Sequence, residues 1–285
     1  MDRRIAILTD TTSGISPQLQ VERGIYTVPM PIVIDHRTYY EGVTISRAQF
    51  FARQRGGVEI TTSQPTPGRL RAMWDALLAT HETLLYLPMS SGLSGSFTTA
   101  QLLAEDYGGR VRVVDNRRIS VTLRQSALEA AQMVRQGAAL EDIAAYLERD
   151  ALNAGIYIAV NTLERLMHGG RVTAAGLAIG SVLGIKPVLQ IQGGKLDAYQ
   201  RAWGMDAAME VIVQALRRDR EERFAGQRVA IRAAYTGGES LGESWRRTLQ
   251  SAFPDLSVGK DPLSLSVACH TGENALGVGI MRDIL

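Results

Sequence analysis

Thr83-Leu84-Leu85-Tyr86-Leu87, then Ser90-Ser91-Gly92-Leu93-Ser94-Gly95-Ser96, then the run Phe97 to Asp106: the fold is read from this stretch. An apolar pentapeptide of strand character leads into a turn of small residues, and the turn opens a segment of helical pattern. Such a turn suits an anion. The first amides of a helix lack intrahelical partners, the helix dipole favours negative charge there, and glycine lets a ligand approach the backbone. The Ser94 and Ser96 hydroxyls can cap the helix or reach a ligand instead. Taken alone, the pattern fits an ordinary helix cap as well as a binding site.

The same alternation recurs on both sides. Upstream, Ile5-Ala6-Ile7-Leu8 reads as a buried strand ending at Thr9-Asp10, and Ser16-Pro17 offers an N-cap with proline at the first helical position. Tyr26 to Ile34 is apolar and β-branched, but Pro29 and Pro31 restrict it to an edge strand or extended connection. Asp35-His36-Arg37 should turn the chain back through Thr38-Tyr39-Tyr40, and a helix should begin near Ser46. Thr61 to Gly68 is a hydroxyl-rich loop holding two prolines, followed by a helix with Leu70, Met73, Trp74, Leu77 and Leu78 on its core face. Downstream, Val111 to Val114 is a strand ending at Asp115-Asn116, with helices over Ser120–Arg135 and Leu140–Leu152. Repeated strand-helix units predict a mostly parallel sheet with helices on both faces and ligands beyond the carboxyl ends of its strands. Asp10, Thr62, Ser94 and Asp115 each follow a predicted strand, so they are expected on one rim.

From about residue 155 the pattern changes. Gly155–Val160 reads as a strand and Asn161–Leu166 as a short helix cut by Gly169-Gly170-Arg171. Ala174–Leu183 reads as a helix with Gly176, Gly180 and Gly184 spaced by four, small residues that allow close packing or leave room for a slender ligand. Lys186–Gln192 and Lys195–Gln200 flank Gly193-Gly194 as a hairpin. Helices near Asp206–Arg218 and Glu239–Ser251 alternate with strands at Arg228–Ala234 and Leu256–Val258. A final strand, Leu263–Cys269, should run into a loop at His270-Thr271-Gly272-Glu273-Asn274. The expected fold is α/β in two domains. Residues 1–154 form an α/β domain with the anion site, and 155–285 form an α+β domain.

Composition narrows the chemistry. The 285 residues are 45% hydrophobic and 21% charged with a net charge of +2, which gives no footprint for nucleic acid. A single cysteine, Cys269, supports neither a disulfide framework nor a metal cluster. No apolar run reaches membrane-spanning length, and Met1-Asp2-Arg3-Arg4 has no secretory pattern, so a cytoplasmic protein without integral membrane association is expected. Asp10 lacks the second aspartate of a phosphoaspartyl loop. The chain has no phosphate-loop lysine motif and no complete dinucleotide fingerprint. Ser94 stands in Gly92-Leu93-Ser94-Gly95-Ser96, where a hydrolase elbow would need glycine in place of Ser96. Among His36, His81, His168 and His270, only His270 sits in a suggestive segment. A serine hydrolase acting on lipid esters through Ser94 is the enzymatic alternative. The remaining reading is a hydroxyl-rich anion pocket with cationic help from Arg171 and His270.

Thr9-Asp10, Thr62-Ser63-Gln64-Pro65, Ser91-Gly92-Leu93-Ser94-Gly95, Val114-Asp115, Gly169-Gly170-Arg171, Gly184-Ile185-Lys186-Pro187 and His270-Thr271-Gly272 occur in the order found in the DegV family, which the chain resembles over its whole length. These are bacterial fatty-acid-binding proteins that include the binding subunits of fatty acid kinase. The resemblance implies a long-chain fatty acid between two domains, with no other cofactor and no catalytic residue of the chain's own. Thr62 and Ser94 would bond its carboxylate, with Ser63 and the Gly95 amide beside them, and Arg171 and His270 near the same end. It also implies a kinase catalytic subunit as partner; a lipid sensor without one is the third reading. Four positions depart from the family pattern: Glu273-Asn274 in place of Pro-Gly, Thr11 after Asp10, and Asn116 after Asp115. The chemistry is consistent with the resemblance. Hydroxyls and a helix N-terminus supply charge-assisted donors, and each buried methylene contributes about 0.8 kcal/mol.

Overall fold

The computed structural model describes residues 5–173 and 184–284. Its first half runs β1 (Ile5–Asp10), α1 (Pro17–Arg23), β2 (Ile25–Val28), β3 (Ile32–Ile34), β4 (Arg37–Tyr39), α2 (Arg47–Arg55), β5 (Ile60–Thr62), α3 (Pro67–Leu78), β6 (Thr83–Leu87), α4 (Ser96–Ala104), β7 (Val111–Val113), α5 (Ser120–Arg135) and α6 (Leu140–Arg149). Four strands form the parallel sheet β2-β1-β6-β7. Local chemistry sets many of the boundaries. The Ser16 and Ser46 hydroxyls accept from Leu19 N and Gln49 N at the starts of α1 and α2. Asp35 and His36 take positive φ, 48° and 61°, in the two-residue turn that joins β3 to β4.

The run Tyr26–Ile34 is not one strand. Pro29 and Pro31 interrupt it, and the chain leaves the parallel sheet after β2 to start a separate three-stranded antiparallel sheet, β4-β3-β5. Thr62 therefore ends a strand of this small sheet and does not share the single rim expected for Asp10, Thr62, Ser94 and Asp115.

The second half runs β8 (Ala154–Ala159), α7 (Glu164–Gly169), β9 (Ile185–Ile191), β10 (Leu196–Trp203), α8 (Gly204–Glu222), β11 (Val229–Tyr235), α9 (Glu239–Ala252), β12 (Gly259–Pro262), α10 (Leu265–Thr271) and β13 (Leu276–Arg282). Its six-stranded sheet has the order β10-β9-β8-β13-β11-β12, antiparallel except for the β11–β12 pair. The hairpin around Gly193-Gly194 forms as read. The helix expected over Ala174–Leu183 lies outside the described residues.

The segment expected as a final strand, Leu263–Cys269, is mostly helix α10, and the strand expected at Leu256–Val258 lies instead at Gly259–Pro262. Alternating Leu263, Leu265, Val267 and Cys269 imitate a strand, but Ser264 caps the segment by accepting from Val267 N. Leu265, Ala268 and Cys269 then share one helix face and pack with Ile32, Ile34, Phe50 and Phe51. His270 is consequently on a helix, where it cannot be weighed as a loop residue. The last strand is β13, inside the sheet.

The two halves share a core. Helix α5 packs on β1 from one side and on β13 from the other. One apolar cluster joins Ile7 and Leu85 of the parallel sheet, Ala127 and Ala131 of α5, and Ile156 and Leu189 of the larger sheet. A Cβ on Gly279 would meet Val121 Cγ2 at 2.5 Å, so the missing side chain is what lets α5 lie this close to β13. The boundary expected at 154/155 falls just inside β8, after its first residue Ala154.

Candidate functional site

The turn after β6 is built as its glycines and serines suggest. Leu93 N and Ser94 N donate to Ser90 O at 3.0 and 3.2 Å, which coils the turn, and Ser90 Oγ donates to Gly194 O at 3.0 Å. A Cβ on Gly92 would lie 2.8 Å from the Gly194 carbonyl, so the tip of the β9–β10 hairpin rests directly on the turn. Ser94 Oγ accepts from Ser96 N at 3.2 Å and lies 2.8 Å from Ser96 Oγ. It holds the first amide of α4 and also lines a cavity.

Thr62 reaches the same cavity from the end of β5, where it pairs with Ile32 across the small sheet. Its hydroxyl shares a 2.9 Å hydrogen bond with His270 Nε2. Burial, reinforced by the positive charge of Arg171, pushes the His270 imidazole down to about 4, so the ring is neutral at physiological pH. The other edge of the ring lies against Gly169, where a Cβ would meet Nδ1 at 2.5 Å. Arg171 donates from Nη1 to Gly169 O and from Nε to Leu93 O at 3.4 Å. Among the described residues it has no carboxylate partner. Ser63 and Gly95 stand exposed at the opening, with Ser63 N donating to Pro31 O at 3.3 Å.

Thr62, Ser63, Ser94, Arg171 and His270 thus line one cavity, and Gly95 adjoins it as the N-cap of α4. Asp10 and Asp115 brace the site from outside. Buried Asp10 accepts from Thr12 N, Thr12 Oγ1 and Met89 N, and burial raises its carboxyl above the usual range. Asp115 accepts from Ser91 N at 3.3 Å and Arg117 N at 3.0 Å. Asn274, which stands where the family pattern has glycine, takes φ 60°, a left-handed conformation that asparagine tolerates.

Beyond this polar end the cavity is apolar. Its walls include Ile156 and Ile158 of β8, Ile191 of β9, Leu196 of β10, Val121 of α5 and Val267 of α10. The atom-free space is about 900 Å³ including the opening. Sequence reasoning missed these wall residues, because each looks like ordinary core until the two sheets are placed face to face. It also missed Gln64, although the Thr-Ser-Gln-Pro motif contained it.

A nucleophile–base pair is not assembled. The Ser94 hydroxyl bonds within its own turn, and His270 Nε2 bonds to Thr62. Among the described residues no group of three or more His, Cys, Asp or Glu side chains could hold a metal ion, and no helix is long and apolar enough to cross a membrane.

Residues 4–283 match the family described as "Uncharacterised protein, DegV family". A DegV domain-containing protein of Deinococcus radiodurans is 33% identical, over 97% of this chain and 98% of its own length. A structure of a DegV family protein from Thermus thermophilus, described by its fatty acid binding, superposes with a TM-score of 0.89 at 30% identity, over 98% of this chain and 100% of that one. DegV of Bacillus subtilis, described as a fatty acid binding protein, gives 0.86 at 25% identity, over 98% and 99% of the two chains.

Proposed function

The chain belongs to the DegV family, and from that membership and the form of its cavity we propose that it binds a long-chain fatty acid, with the carboxylate held by Thr62, Ser94 and Gly95 and balanced by Arg171 and His270. One observation carries the reading: an apolar cavity ends in two hydroxyls and an arginine that no described carboxylate neutralises. A monovalent anion with a long hydrocarbon tail fits both ends. Burying about fourteen methylenes contributes about 11 kcal/mol, within the range of the association cost, so charge-assisted bonds at the head supply much of the net affinity. The structures from Thermus thermophilus and Bacillus subtilis, whose descriptions name fatty acid binding, support the ligand class.

The reading extends to a partner. The exposed positions of Ser63 and Gly95 leave the head end reachable from solvent, and the chain would present its carboxylate there to a fatty acid kinase catalytic subunit in the cytoplasm. The partner performs the phosphoryl transfer, and this chain acts as the acyl carrier.

Solvent extraction and mass spectrometry of the purified protein should release a fatty acid, and delipidated protein should rebind one in a displacement assay. Protein that carries none and rebinds none overturns the proposal. Acyl-phosphate formation on adding a kinase catalytic subunit and ATP separates the carrier from a lipid sensor that binds but does not deliver.

A further inference from the structure

The polar end of the cavity is a ring of contacts drawn from several elements. Thr62 touches His270, His270 lies against Gly169, and Arg171 joins Gly169 O to Leu93 O beside Ser94. The remaining gap, between the Ser94–Gly95 turn and Thr62, is spanned by one side chain. Gln64 Nε2 donates to Thr99 Oγ1 in the first turns of α4 at 2.9 Å. Its Oε1 packs on Gly95, where a Cβ would approach to 2.9 Å.

We propose that Gln64 is a positioning residue for the carboxylate site, setting the separation of the Thr62 hydroxyl from the Ser94–Gly95 turn. This rests on the fatty acid reading above. The two donors need such a spacer because they belong to different sheets, Thr62 to β4-β3-β5 and Ser94 to the turn after β6 of the parallel sheet. Among the described residues no backbone ladder links those sheets. Pro65, buried directly after Gln64, restricts the backbone on one side, and pairing of Thr62 with Ile32 restricts it on the other. The amide itself is half-buried and already committed to Thr99, so it works through geometry. Two donors must both lie within hydrogen-bond reach of one carboxylate, and bonds to an ionised acceptor weaken quickly with misplacement.

Gln64→Met keeps the length and apolar volume of the side chain but removes the bond to Thr99. Thr99→Val removes the same bond from a position that does not line the cavity. Each variant should bind a long-chain fatty acid about tenfold more weakly than the parent chain, as expected for a lost bond to a charged acceptor site. The double variant should be no weaker than either single one. Binding of the fatty alcohol of equal chain length should stay within about twofold in all three, because the apolar walls along the acyl chain are untouched and the alcohol carries no charge to place.

Unchanged fatty acid affinity in Gln64→Met, additive losses in the double variant, or an equal loss for the alcohol would each overturn the positioning role. The parent chain serves as the separate control. If it prefers the acid to the alcohol while Gln64→Met keeps that preference, only Gln64 is misassigned. If the parent chain shows no such preference, the carboxylate site is wrong and this inference falls with it.

Discussion

Lowering the pH from 8 to 6 should tighten fatty acid binding about tenfold, with uptake of most of one proton by His270. Without an anion beside it, His270 titrates at about 4, because burial and then Arg171 disfavour the imidazolium. A carboxylate seated about 4 Å from the ring is worth about 4 kcal/mol at an effective dielectric constant of about 20, which multiplies the imidazolium-to-imidazole ratio about a thousandfold. At pH 6 the ratio then moves from about one in a hundred to about ten to one, and at pH 8 from negligible to about one in ten. The ligand raises the proton affinity of the ring, so the added binding energy is present at low pH and fades as pH rises. The fatty acid stays largely ionised across this window, since a free carboxyl titrates at about 4 to 5. Calorimetry at pH 6 in two buffers of different ionisation enthalpy counts the protons, and titrations at pH 6 and 8 give the affinity ratio. His270→Gln should abolish both effects. A parent chain that takes up no proton and binds equally at both pH values would refute the placement of the carboxylate next to His270. An unchanged pH response in His270→Gln would assign the proton to another group.

Three further outcomes follow from the same geometry. Thr62→Val together with Ser94→Ala should weaken fatty acid binding about a hundredfold or more, each lost hydroxyl costing about 1.5 to 3 kcal/mol against a charged acceptor, and a displacement titration that finds parental affinity would move the head group elsewhere. Ala234→Trp, on β11 in the cavity wall, should fill space the acyl chain needs and cut binding of acid and alcohol alike; parental affinity by calorimetry would show that the chain runs another way. Glu129, fully buried on α5, is pushed up to about 7 by burial, although Gln125 and Tyr146 donate to its carboxylate. A folded-state value raised this far favours the fold at low pH and withdraws about 3 kcal/mol as pH climbs from about 4.5 through 7, so Glu129→Gln should raise the melting temperature at pH 8 and leave it nearly unchanged at pH 5; equal shifts at both pH values would contradict this.

Legibility in the sequence followed the range of the interactions involved. Ser16-Pro17, Ser46 and the Gly193-Gly194 hairpin act within a few residues, and each formed where it was read. The turn Ser90–Ser96 is the same kind of feature, a coiled loop at the start of α4. Thr62, Ser94, Arg171 and His270, singled out through motifs, line one cavity. Segment 263–269 shows where local reading failed, because its alternation suits a strand while a single cap at Ser264 and a face of Leu265, Ala268 and Cys269 against the small sheet hold it as a helix.

By itself, then, the sequence determined the alternation of strand and helix, the small-residue turn after β6, and the residue types able to hold a carboxylate, because caps, turns and periodicity depend on neighbours along the chain. Tertiary structure alone decided that Thr62 comes from a different sheet than Ser94, that His270 arrives on a helix, and that α5 sits between two sheets. It also decided that isoleucines of β8 and β9 wall a cavity instead of closing a core. Those outcomes rest on contacts between residues far apart in sequence, and on the space left when two curved sheets meet across one helix.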